Sequence, residues 1–197
     1  MSLGTVAIIE HGHSLEKINN LQALLSELGS QLFVEEITGP TDDWKWRLDQ
    51  RFSSVAEEIS AYGNATLSLK GHYSLLVGHR CLAIGHRTLW RDFLTVRQVQ
   101  TRLRSNFGMI AASLGASRAI YTPDGQFCPA RALDLVSSQK CLGIAEIIAY
   151  LSSDCSPPAR TLESIFRLQD NGCWTGDGYF IENFDTEWID NRGPLNG

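Results

Sequence analysis

The feature that most constrains this chain is an apolar stripe between Thr95 and Tyr121. Val96, Val99, Leu103, Phe107, Ile110 and Leu114 recur at steps of three and four, the spacing that lines one face of an α-helix over about five turns. Such a stripe must be buried against a core. Arg97, Gln98, Arg102, Arg104 and Ser105 fall on the opposite side. Gly115 can take the left-handed conformation that ends a helix, and Ala119-Ile120-Tyr121 reads as a strand. A helix handed straight onto a strand is scaffold, and the rest of the chain has to supply sheet and cover around it.

Two further stripes supply cover. Leu15, Ile18, Leu21, Leu25 and Leu28 predict a helix over 14–28, capped by Ser14 and stopped by Gly29. Trp44, Leu48, Phe52, Val55, Ile59 and Tyr62 predict another over 42–62, with Asp42 and Asp43 in its first turn and Gly63 at its end. Strands are predicted by shorter patterns: the continuous apolar run Thr5 to Ile9, then Gln31 to Ile37, then three blocks broken at Gly71, Gly78 and Gly85. The blocks at 65–69, 73–77 and 81–84 make a hairpin or meander. Downstream, the pattern predicts a short helix over 130–136 and a longer one over 139–151, with Leu142, Ala145, Ile148 and Leu151 inside. Pro157 and Pro158 then enforce a stop, a turn or two of helix follows at 161–166, and a terminal hairpin joins Cys173-Trp174 to Tyr179-Phe180-Ile181. The expected fold is α+β. One domain spans 1–197, an antiparallel or mixed sheet packs against amphipathic helices at 14–28, 42–62 and 95–114, and residues 185–197 form a frayed tail.

A chain of 197 residues with 43% hydrophobic content suffices for one sizeable core. No run approaches the roughly 18 apolar residues that cross a bilayer, and Met1-Ser2-Leu3-Gly4 has neither the basic flank nor the apolar stretch of a secretory signal. The expectation is a cytoplasmic protein without a membrane partner. Its five cysteines, Cys81, Cys128, Cys141, Cys155 and Cys173, are odd in number and widely spaced. They form neither a zinc knuckle nor a dense disulfide frame and read as reduced core thiols.

Charge is unevenly placed along the sequence. Residues 1–63 hold 4 Lys/Arg against 10 Asp/Glu, residues 64–118 hold 8 against 1, and residues 119–197 hold 5 against 11. The simplest consequence is internal neutralisation, with acidic flanks packed beside a basic middle. The functional alternative is a basic surface over 70–118 for an anion or nucleic acid.

Two constellations could carry chemistry. Polar residues follow the first strand at Glu10-His11-Gly12-His13-Ser14, the kind of place where α/β folds put ligands. Val6 to Ser14 resembles the strand-Arg-His-Gly-x-Ser/Thr opening of the histidine phosphatases. That family holds phosphate with the arginine, and Glu10 stands in its place here, where a carboxylate would repel the substrate. His11 and His13 could alternatively ligate a metal, since alternate residues of an extended segment face one way, but two ligands do not complete a site. The second constellation is Gly71-His72, Gly78-His79-Arg80 and Gly85-His86-Arg87 at a spacing of seven. An odd spacing points successive histidines to opposite faces of a straight strand, so glycines that permit turns or bulges are the simpler reading. His79, Arg80, His86 and Arg87 remain candidates for a small anion site.

The sequence carries no G-x-S-x-G, Walker, H-E-x-x-H or G-x-G-x-x-G motif. Its expected function is that of a non-catalytic, cytoplasmic protein-binding or regulatory domain, without cofactor or metal. Trp44, Trp46, Trp90, Trp174 and Trp188 suit a protein interface as well as a core. The alternative is a hydrolase or metal-dependent enzyme using Glu10, His11 or His13. An anion binder comes third, with nucleic acid the less expected ligand.

Overall fold

A computed structural model describes residues 4–29, 31–32, 44–69, 73–124, 131–155, 157–166 and 178–184. Among them, seven strands form one antiparallel sheet: β1 (Gly4–Glu10), β2 (Lys45–Arg47), β3 (Asn64–Leu69), β4 (Tyr73–Gly78), β5 (Cys81–Leu89), β6 (Arg118–Pro123) and β7 (Phe180–Asn183). Their spatial order is β2-β3-β4-β5-β1-β6-β7. The α+β expectation holds, and the sheet is antiparallel rather than mixed.

β1 is apolar from Val6 to Ile9 because it lies between β5 and β6 with both faces covered. Alternation along the strands divides the interior into two cores. Ala7, Ile9, Leu75, Val77, Leu82, Ile84, Ala119 and Tyr121 point to the larger one. There they meet α1 (Asn20–Gly29), α2 (Val55–Tyr62), α3 (Trp90–Thr95), α4 (Arg97–Ser113) and α7 (Leu162–Phe166). Val6, Ile8, Cys81, Ala83 and Ile120 point the other way, onto α5 (Arg131–Val136) and α6 (Ile144–Asp154).

α4 is the helix that the long stripe predicts. Leu103, Phe107, Ile110 and Leu114 are buried, Gly115 adopts φ +68°, and β6 follows. Its buried face is wider than the stripe. Ser105 is buried where an exposed side is expected, and Arg104 turns inward to pair with Glu182 on β7. Val96 is exposed because it marks the break between α3 and α4.

The region 42–62 is where the structure departs most from expectation. Lys45 to Arg47 is an edge strand, and the helix begins only at Val55, behind a cap at Ser54 whose hydroxyl accepts from Glu57 N–H at 3.3 Å. Glu57 in turn accepts from Ser53 N–H at 2.9 Å. Smaller corrections follow the same logic. α1 starts at Asn20 because the backbone from Ser14 to Leu21 first closes turns with i→i+3 hydrogen bonds, while Ile18, Leu21 and Leu25 still face inward. α6 starts at Ile144 and buries Ile144, Ile147 and Leu151, leaving Ala145 exposed. β7 pairs with β6. The expected strand partner at 173–174, most of the strand expected over 31–37, and the tail from 185 lie outside the described residues.

Of the cysteines expected as reduced core thiols, Cys81 agrees, and Cys141 and Cys155 differ. Cys81 is a buried free thiol and Cys141 an exposed one, whereas Cys155 is disulfide-bonded. Cys128 and Cys173 lie outside the described residues.

Candidate functional site

The sheet has two polar ends, and they have different characters. At the end where β1 stops, Glu10, His11, His13, His79 and Arg80 gather as structural parts. His11 N–H donates to the Arg80 carbonyl at 2.9 Å, and its buried ring places Nε2 3.0 Å from the Gly78 carbonyl, which fixes the Nε2–H tautomer. Nδ1 has no hydrogen-bond partner among the described residues. Burial holds the imidazole below its ordinary 6.5, against the raising effect of the Gly78 carbonyl. The His13 ring stands tilted at 6.2 Å from the His11 ring, centre to centre.

Glu10 serves the start of α6. Its Oε1 lies 2.6 Å from the Arg80 guanidinium and its Oε2 accepts from Ile144 N–H at 3.4 Å. Glu146 accepts from Gly143 N–H at 3.1 Å, and Arg80 approaches Glu146 at 3.8 Å. Two carboxylates therefore satisfy free amides of the helix N-terminus, and one guanidinium bridges them. Among the described residues no group of three or more His, Cys, Asp or Glu side chains is placed to hold a metal ion.

The four anion candidates do not converge. His79 and Arg80 form the tight turn between β4 and β5, while His86 and Arg87 lie at the far end of β5, about 20 Å away at the usual strand rise. The turn needs Gly78, because a Cβ there would stand 2.1 Å from the Val136 carbonyl oxygen at the end of α5. Gly85-His86-Arg87 instead opens a bulge. Thr5 pairs with His86 but Gly4 pairs with Leu89, so Arg87 and Thr88 are extra residues in β5. Such bulges re-aim side chains. Here His86 Nδ1 accepts from Thr88 N–H at 3.1 Å and Thr5 Oγ1 donates to the Thr88 carbonyl at 3.0 Å, which pins the irregular loop on both sides. Gly71-His72 lies outside the described residues.

Beside that bulge is a cleft of about 490 Å³, lined by Arg47, Ser68, Tyr73, His86, Arg87 and Asp124 among others. Arg47, Ser74 and Arg87 are its exposed polar lining on β2, β4 and β5. Arg47 Nε donates to Ser68 Oγ at 3.1 Å, which lays the guanidinium along the cleft wall. Neither Arg47 nor Arg87 has an ion-pair partner among the described residues. The Tyr73 ring backs His86 at 4.8 Å, and its hydroxyl is engaged by Asn106 Nδ2 of α4. Burial pushes that phenol up to about 12, so it stays protonated at neutral pH.

Arg47 and Asp124 are not among the sequence candidates. The alternation Trp44-Lys45-Trp46-Arg47-Leu48 carries the signal for Arg47, because it puts both basic residues on one face of a strand. Asp124 sits in a turn motif whose position at the sheet end only the pairing of β1 with β6 reveals.

Fold and site together define an antiparallel α+β protein with a basic, ligand-sized cleft at one end of its sheet. No protein-family model matches the chain, and comparison with curated proteins finds no relative. Among the described residues no helix is long and apolar enough to cross a membrane.

Proposed function

We propose that the protein is a non-catalytic binding domain with a regulatory role, and that its ligand is a small organic anion held in the cleft by Arg47 and Arg87. The observation that carries this is that Arg47 and Arg87, which have no carboxylate partners among the described residues, line one cavity of about 490 Å³. Arginine forks match carboxylate and phosphate oxygens, and cavities of roughly 300–1,000 Å³ hold small ligands. Within the cleft, Ser68 accepts from Arg47 and the Tyr73 hydroxyl is engaged by Asn106.

A protein partner, the first expectation from sequence, finds less support. Trp44 and Trp90 are core residues and Trp46 packs against the same core. Among the described residues the exposed large apolar side chains, Tyr62, Leu89 and Val96, come from three separate elements. The basic middle does not favour nucleic acid either, since Arg80 pairs with Glu10 and Arg104 with Glu182. A cytoplasmic location is opposed by the Cys155 disulfide, because the cytosol keeps most thiols reduced.

Titration calorimetry with inorganic phosphate, citrate and ribose 5-phosphate tests the proposal. Binding of at least one anion should weaken roughly tenfold or more in Arg87→Gln and in Arg47→Gln, the loss of about one charge-assisted contact. Unchanged affinity in both variants, or no binding of any anion, would sink it.

A further inference from the structure

The cleft that holds the proposed anion also contains a carboxylate, and that pairing narrows the ligand. Asp124 is exposed at the end of β6, its backbone N–H fixed to the Gly4 carbonyl at 2.9 Å. Its carboxylate has no ion-pair partner among the described residues. A carboxylate lining the same cleft as two guanidiniums repels any ligand that is anionic throughout. It favours a ligand whose far end donates hydrogen bonds.

The span between the two ends follows from strand order. Arg87 belongs to β5 and Asp124 follows β6, with β1 between them. Two strand spacings make about 10 Å, which arginine and aspartate side chains shorten from either side. Gly4 forms the floor between them: a Cβ there would stand 3.2 Å from the His86 carbonyl oxygen and 3.6 Å from Asp124 Cβ. A side chain at that position would narrow the passage, and glycine leaves it open.

Resting on the anion reading above, we infer that the ligand is a sugar phosphate, its phosphate on Arg87 and its hydroxyls on Asp124. Adjacent hydroxyls and an acidic side chain match because a carboxylate presents two acceptor oxygens to two donors. The bulged Arg87 offers guanidinium donors to the phosphate oxygens, and the open floor at Gly4 joins the two subsites.

Calorimetry with three probes tests this: inorganic phosphate, ribose 5-phosphate and phosphoserine. Wild-type protein should bind ribose 5-phosphate roughly tenfold or more tightly than inorganic phosphate, the equivalent of one good added contact. Asp124→Asn should remove most of that advantage while leaving inorganic phosphate within roughly twofold or slightly tighter, since a nearby negative charge has gone. Gly4→Ala should weaken ribose 5-phosphate selectively. Thermal unfolding of both variants first establishes that they fold, which the exposed position of Asp124 favours. Equal affinity for phosphate and ribose 5-phosphate, or tighter sugar-phosphate binding by Asp124→Asn, would overturn the sugar-phosphate assignment. If Arg87→Gln still weakened inorganic phosphate, the anion cleft itself would stand. Phosphoserine binding more tightly than ribose 5-phosphate would show that Asp124 receives an ammonium, and would overturn the assignment to hydroxyls. Failure of every probe to bind would overturn both readings.

Discussion

Arg104 on α4 closes on Glu182 of β7 through both its Nε, at 3.1 Å, and a terminal guanidinium nitrogen, joining the central helix to the last described strand. Tyr121 donates its hydroxyl to the same carboxylate at 2.5 Å. Glu182 is only 4% exposed, and these partners offset the cost of burying it. Removing it leaves a largely enclosed guanidinium and a buried hydroxyl uncompensated. Glu182→Ala should cost about 3 kcal/mol, the usual scale for breaking a buried pair. A double-mutant cycle with Arg104→Ala should show strong non-additivity. Losses that simply add in urea unfolding would mean that the two residues act independently.

Leu103 sits midway along α4 and is 1% exposed, with Phe107 one turn on. Leu103→Ala should cost roughly 2–5 kcal/mol through lost contacts and a residual cavity. Gln98 is exposed on the same helix, and Gln98→Ala should stay within about 0.5 kcal/mol. Comparable losses for the two would contradict the inward orientation of Leu103.

His11 gives stability a pH dependence. Its pKa in the fold lies below the ordinary 6.5, chiefly because burial disfavours the charged ring. As pH falls through 6.5 the unfolded chain gains a proton that the folded one resists. This contribution is therefore complete above 6.5 and is lost progressively below it, with a slope of at most about 1.4 kcal/mol per pH unit. His11→Gln can keep the bond to the Gly78 carbonyl without the titration. Unfolding measured between pH 5 and 7.5 should lose this slope in the variant; an identical slope would assign it to other groups.

The thiols should separate sharply by reactivity. Burial, with the Glu10 carboxylate adding to it, pushes Cys81 up to about 12, whereas Cys141 is exposed. Because the thiolate is the nucleophile, iodoacetamide should modify Cys141 in the native protein and Cys81 only after unfolding, with Cys155 labelled only after reduction. Peptide mapping reads all three, and early labelling of Cys81 would contradict its burial.

Gly78 is held by contact. With a Cβ meeting the Val136 carbonyl oxygen at 2.1 Å, Gly78→Ala must displace either α5 or the turn, and should cost about 2 kcal/mol or more. Gly12, where a Cβ would meet nothing within 4 Å, is the control, and Gly12→Ala should cost less than about 1 kcal/mol. Equal stability of the two variants would refute the close approach.

Much of this scaffold was legible from local pattern. The stripe of α4, the strand runs of β1 and β3 to β5, and the glycine that ends α4 all report local geometry, and the structure keeps them. The failure at 42–62 has a definite cause. Trp44 and Leu48 are four apart and so fit a helix, but Trp44, Trp46 and Leu48 also alternate and fit a strand. Pairing of Lys45 to Arg47 with Thr66 to Ser68 decides between the two, and no single-segment pattern contains that pairing. Candidate residues followed the same rule. The bulge at Gly85-His86-Arg87 was visible as a glycine before two polar residues, whereas the cleft joins β2, β5 and the end of β6, which only the sheet brings together.

The central position of β1 sets the order in which the molecule can assemble. Its two neighbours are β5, at residues 81–89, and β6, at residues 118–123, so an early apolar strand has to wait for distant partners. Long-range pairing carries a closure entropy that slows the search. During synthesis or refolding, Val6 to Ile9 stays unpaired until β5 can dock, the interval in which strands of this kind self-associate. Refolding should therefore run on the millisecond-to-second scale typical of sheets with non-local pairing, and its yield should fall as protein concentration rises.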